Sequence, residues 1–255
     1  MITITHRIAL AACALACIAV APQAEAVDWS WSRGEQVQGS GKIVRQARDV
    51  AHFDGVALSL QGNVEIRSGS AREGVTVEAD DNLLPLIETV VEDGTLKIRA
   101  KKDANLRSRN LKFVVQARDV DRLSLGGAGN IEADVVRGGR VKLDVGGSGA
   151  IKVRRLEGES VSVALGGSGD LKVQDGTARS MSISIGGSGT VDLGHVRTDS
   201  ATVTVAGSGD ATLWVRERLG LTVAGSGDVN YYGDPQISRS VVGSGNVRRL
   251  GAAPR

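Results

Sequence analysis

The chain has 255 residues, a formal charge of +2, 24% charged residues and only 4 prolines, which excludes collagen-like or proline-rich architecture and argues against a polyelectrolyte partner such as nucleic acid. Hydrophobic residues reach 41% while aromatics stay at 3%, so a core of globular size has to be built from aliphatic side chains. The length allows one large domain or two ordinary ones.

At the N-terminus, His6 and Arg7 precede an apolar run from Ile8 to Val20, followed by Pro22 and Ala24-Glu25-Ala26, an A-x-A site of the kind cut by signal peptidase. The run is too short to span a bilayer as a helix. Residues 1–26 are therefore expected to be a signal peptide, which places the mature chain in the periplasm or at the cell surface and removes both cysteines, Cys13 and Cys17. Leu10-Ala11-Ala12-Cys13 also has the pattern of a lipid attachment site, but five residues between Arg7 and Cys13 make a short leader, and the lipoprotein reading is the lesser one. Residues 27–41, with Trp29, Trp31 and many Gln, Ser and Gly, read as a flexible arm.

Residues 42–118 have irregular strand character. Val56-Ala57-Leu58-Ser59-Leu60, Gln61-Gly62-Asn63 and Val64-Glu65-Ile66 read as strand, corner and strand. Asp81 to Ile87 suits a single helical turn, and Glu92-Asp93-Gly94, between Val90-Val91 and Leu96-Lys97-Ile98, suits a hairpin turn.

From residue 119 onward the organisation is periodic. Gly-Ser-Gly or Gly-Ala-Gly starts at Gly127, Gly147, Gly167, Gly187, Gly207, Gly225 and Gly243, with spacings of 20, 20, 20, 20, 18 and 18. Before each station apolar residues alternate with polar ones, as in Val161, Val163 and Leu165 around Ser162 and Ala164. The alternation resumes beyond it, as in Leu171 and Val173. No helical pattern lies between units, so a βαβ fold is excluded. The remaining solution is a coil that stacks on itself, a β-solenoid with roughly 4.8 Å between coils. Its aliphatic residues ladder inward and Ser162, Ser182, Thr202 and Thr222 ladder outward. Glycine at the corners is expected to supply positive φ and clearance for the next coil. One solenoid domain is expected over 42–250, with a tail at 251–255.

Val50 through Ile66, Asp80-Asp81-Asn82-Leu83, Glu92 through Ile98 and the Gly-Ser-Gly-Asp/Asn corners resemble the head GIN domain of the putative auto-transporter adhesins, a secreted bacterial family. The resemblance covers roughly Lys42 to Leu250. It implies a right-handed parallel β-helix, without a known catalytic site, in a binding or adhesive role at the cell envelope. After the repeats nothing reads as a translocator barrel or membrane anchor, so autotransport is not expected of this sequence.

Candidate chemistry is thin. Asp170, Asp210 and Asp228 sit just after the glycines, but the acid falls one place earlier than in calcium-binding nonapeptide repeats, and Ala150 and Thr190 replace it elsewhere, so no metal is expected. Asp210 and Asp228, one coil apart, have the separation of a glycosidase pair without aromatic platforms around them. A carbohydrate-active β-helix enzyme is thus the alternative to a binding module, and a purely structural envelope protein is a third reading. His52 and His195 stand alone. Lys101, Lys102, Arg107 and Arg109 form a basic loop suited to an anionic envelope lipid, glycan or surface protein, and the solenoid ends suit self-association. No cofactor is expected.

Overall fold

The computed structural model describes residues 35–254 except 103 and 109. The expected signal peptide, Cys13, the two tryptophans of the expected arm and Arg109 lie outside the described residues. The described chain opens with β1 (Glu35–Gln38), β2 (Ile43–Arg48), β3 (Gly55–Leu58), β4 (Asn63–Arg67) and β5 (Gly74–Asp80). A 3-10 turn at Leu84–Leu86 leads into β6 (Ile87–Glu92) and β7 (Thr95–Ala100), then β8 (Ala104–Arg107), β9 (Lys112–Gln116) and β10 (Arg122–Leu125). Five long strands follow, β11 (Asn130–Val145), β12 (Ala150–Leu165), β13 (Asp170–Ile185), β14 (Thr190–Val205) and β15 (Asp210–Gly225), and the last are β16 (Val229–Tyr232), β17 (Gln236–Gly243) and β18 (Val247–Gly251).

These strands form a β-solenoid of about 6 turns. One path runs β18-β16-β15-β14-β13-β12-β11-β10-β3-β7-β6 and is parallel throughout except for the closing β6–β7 hairpin. The repeat spacing is the register: Leu143 pairs with Val163, Val163 with Ile183 and Ile183 with Val203. All of these side chains lie in the core. Each contributes roughly 1.5–3 kcal/mol by leaving water. Pairing of β11 with β12 skips Asp134 and Gly139, so a long strand bends twice and each coil has three straight pieces.

Two details depart from the sequence reading. Between β14 and β15 the register shifts at Leu193/Arg197 and again at Thr198/Ser200, which absorbs the change from 20 to 18 residues per coil. Thr222 therefore pairs with Thr204 and Thr202 with Gly220, so the expected Thr202–Thr222 rung does not exist. The second concerns glycine. Among the stations only Gly225 (φ 149°) and Gly243 (φ 125°) have positive φ, so a left-handed backbone is not the reason for the others. The reason is stacking: a Cβ on Gly187 would overlap the carbonyl oxygen of Gly167 and lie 2.8 Å from its carbon, whereas a Cβ on neighbouring Gly186 would meet nothing within 4 Å.

The N-terminal coils are closed by antiparallel pairing. β2 pairs with β5, and β5 with β9, antiparallel in both cases. At the β6–β7 turn Asp93 (φ 49°) and Gly94 (φ 70°) are both left-handed, the backbone of a tight two-residue hairpin. The Asp80-Asp81-Asn82 segment acts as a clasp. Buried Asp80 accepts from Gly41 N at 2.7 Å and Ser108 Oγ at 2.6 Å. Asp81 accepts from Ser40 Oγ at 2.6 Å, and Asn82 donates to the Gln38 carbonyl at 2.8 Å. Where the sequence suggests an arm extending to residue 41, Gln38–Lys42 is fastened here and Glu35–Gln38 pairs in parallel with Ala104–Arg107.

Candidate functional site

The corner aspartates form a ladder of their own. Asp170 Oδ1 accepts from Thr190 N at 3.1 Å, Asp210 Oδ1 from Asp228 N at 2.9 Å, and Asp228 Oδ1 from Asn246 N at 2.8 Å. Each carboxylate thus satisfies a backbone donor one coil away, and Asn130 does the same for Ala150 N at 3.2 Å. The Asp210–Asp228 proximity is accounted for by this stacking.

Along the outer walls, charges are neutralised between coils. Lys172 pairs with Asp192 at 2.7 Å, Arg155 with Asp175 at 2.9 Å and Arg154 with Asp134 at 3.0 Å. A shallow depression of about 340 Å³ opens among Glu65, Lys112, Asn130, Glu132 and Lys152. Its carboxylates Glu65 and Glu132 are register partners on adjacent coils. Hydrogen bonds from Arg67 and Lys112 hold the Glu65 carboxyl below the usual carboxylate range. That is the opposite of the raised value a general acid needs. Where the irregular coils meet the regular ones, Asp54 and Asp121 flank Arg122 at 3.8 and 3.9 Å. One oxygen of each is shielded from solvent and lacks a hydrogen-bond partner. Burial first, and then the charge of Asp54, push the Asp121 carboxyl up.

Of the basic loop, Arg107 is brought next to residues expected in the arm. Parallel pairing sets Gln36 beside Asn105 and Gln38 beside Arg107. The intervening Leu106 is buried and Val37 packs against the core, so the alternation turns Gln36, Gln38, Asn105 and Arg107 outward together. The Gln36 amide, turned so that its oxygen faces the guanidinium, accepts from Arg107 Nη2 at 3.0 Å. Gln61 completes an open depression of about 270 Å³ with Gln38, Arg107 and Ser108. Lys101 and Lys102 are exposed in the turn leading into β8. The only sequence signal for these amides was the alternation Gln36-Val37-Gln38 against Asn105-Leu106-Arg107, two short runs too far apart to be matched without the fold.

Neither histidine builds a metal centre: His52 meets Glu73 at 3.0 Å and is largely exposed, and His195 sits exposed where the coil length changes. Among the described residues no three His, Cys, Asp or Glu side chains are placed to hold a metal ion. Among them, too, no helix is long and apolar enough to cross a membrane.

Residues 52–235 match the family described as putative auto-transporter adhesin, head GIN domain. The chain belongs to this family. Solved structures share the GIN-domain fold. A putative adhesin from Bacteroides fragilis is 24% identical with a TM-score of 0.74, covering 84% of this chain and 100% of that one. A protein from Parabacteroides distasonis described as a putative lipid binding protein is 23% identical with a TM-score of 0.70, covering 85% and 100%. A putative adhesin from the same organism is 21% identical with a TM-score of 0.64, again over 85% and 100%. Among curated proteins none matches the chain.

Proposed function

We propose that this GIN domain is an exported, non-enzymatic binding module of the bacterial envelope that holds an anionic glycan on the outward face of β1 and β8. The observation that carries this reading is the parallel pairing that lines up Gln36, Gln38, Asn105 and Arg107 on one exposed face, with Gln61 beside it and the exposed cations Lys101 and Lys102 in the segment that leads into β8. Amides supply both donors and acceptors for sugar hydroxyls, and a guanidinium matches a carboxylate or phosphate group in two-point geometry. The platform is rigid because its other face packs on the core, which limits the ordering cost of binding.

The test is binding of purified protein to alginate, an acidic polysaccharide, with dextran as the neutral control. Alginate binding that weakens with added salt, and falls at least tenfold in the Gln38→Ala/Arg107→Ala double variant, is the expected result. Equal binding to dextran, or alginate binding unaffected by that variant, overturns the assignment of the site. Release of new reducing ends from alginate would overturn the non-enzymatic reading.

A further inference from the structure

Exposed apolar side chains are concentrated on one coil. Of five large hydrophobic residues exposed among the described residues, Ile237, Val241, Val242 and Leu250 all belong to β17 or β18. β17 pairs with β15 on one side, no described strand pairs with its other side, and all eight of its residues are exposed. A row of backbone donors and acceptors is therefore open along this strand.

The side chains on that edge break the pattern of the solenoid. The inward ladder Leu123, Leu143, Val163, Ile183, Val203, Leu221 is aliphatic through six coils and then ends in Arg239. A second inward ladder, Leu213 and Tyr231, ends in Arg249. Arg249 is engaged, donating to the Gly233 carbonyl at 2.7 Å with Asp234 at 3.7 Å. The Arg239 guanidinium has no hydrogen bond and no carboxylate partner among the described residues, and the side chain stands between Ile237 and Val241 on the same side of the strand.

Two copies meeting edge to edge about a two-fold axis through Arg239 would place Arg239 against Arg239, with Ile237 opposite Val241, and an axis through Ser240 would set each Arg239 against Val241, so neither central register offers the arginine a carboxylate. Like charges directly opposite on paired strands repel, so this coil does not suit a second copy of itself. A lipid surface meets the charge and the apolar groups but leaves the backbone row unpaired. An added strand meets all three requirements. We propose that β17 is a docking edge for an extended strand of another protein, which sets a carboxylate against Arg239 and apolar side chains against Ile237 and Val241. This surface is separate from the platform on β1 and β8 and does not depend on it.

The probe is a labelled heptapeptide, acetyl-Thr-Val-Thr-Glu-Thr-Val-Thr-amide, titrated to millimolar concentration against the intact protein, with counterparts carrying Gln or Lys at the centre. Binding of the Glu peptide at least tenfold tighter than the Gln peptide is expected, and Arg239→Glu should reverse the order in favour of the Lys peptide. The comparison of the three peptides on the unaltered protein stands even where the variant folds poorly. No binding of the Glu peptide, or equal binding of all three, overturns the proposal. So does a dimer in sedimentation that Val241→Asp dissolves, which would give the edge to a second copy. Flotation with phosphatidylglycerol vesicles that Arg239→Glu abolishes, without peptide binding, would give it to a membrane.

Discussion

The five long strands and the N-terminal coils before them solve the same closure problem in different ways. In β11 to β14 each residue's neighbours are its equivalents one coil away, so Ile183 lies between Val163 and Val203, and the environment of a paired position can be read by stepping 20 residues along the chain. In the region around β2, β5 and β9 the partners follow no fixed step: Val77 pairs with Gln46 on one side and Phe113 on the other. Redundancy makes the first region legible and intolerant in a repeating way, whereas the second depends on single contacts such as the Asp80 clasp.

The sharpest way to break this comparison is to put a charge in the shared core. Ile183→Asp is expected to abolish cooperative folding, since an unpaired carboxylate between two buried valines costs on the order of 4 kcal/mol or more. Thermal unfolding by circular dichroism reads the outcome, and an unchanged transition would mean that the inward register is wrong. A smaller effect separates stacking from conformation at the corners. Gly187→Ala forces a methyl against the Gly167 carbonyl and should cost about 1–3 kcal/mol, while Gly186→Ala, one residue away in open space, should stay within about 0.5 kcal/mol in urea denaturation. Equal losses at the two sites would remove close approach as the reason for glycine.

The smallest effect lies at the seam between the regions. Because the folded pKa of Asp121 is raised, its protonated form is favoured in the folded state, and the contribution to stability is present at acid pH and lost as pH rises through that value. At neutral pH the carboxylate therefore works against the fold. Asp121→Asn should raise the melting temperature at pH 7 by up to about 3 °C and leave it unchanged below the ordinary carboxylate range. A melting temperature that falls at pH 7 would show that the ion pairing to Arg122 outweighs burial.

What could be read without coordinates follows the same division. The alternation through Val161, Val163 and Leu165 and the fixed step between stations specify strands, inward faces and parallel stacking together, because all three express one periodicity. The step also conceals detail: the shift near Leu193 depends on where two residues are lost within a coil, and spacing between stations does not locate the loss. The explanation for the corner glycines needed the distance to the coil before, which composition does not contain. The platform of Gln36, Gln38, Asn105 and Arg107 was hidden because its halves lie on strands separated by six others in sequence, and polar residues near a terminus look the same whether loose or fastened.

The constant register between β11, β12 and β13 also bears on how such a chain changes length. Since residue pairs are offset by 20 throughout those coils, removing or duplicating one whole unit, such as 150–169, rejoins strands that already match in side-chain pattern, corner and direction. Gene-level slippage by a unit therefore yields a shorter or taller stack, while slippage by any odd number inverts every face beyond the joint. The fold behaves as a ruler graduated in steps of about 4.8 Å, with which a lineage can adjust the distance between the amide platform near one end and the arginine-tipped edge at the other.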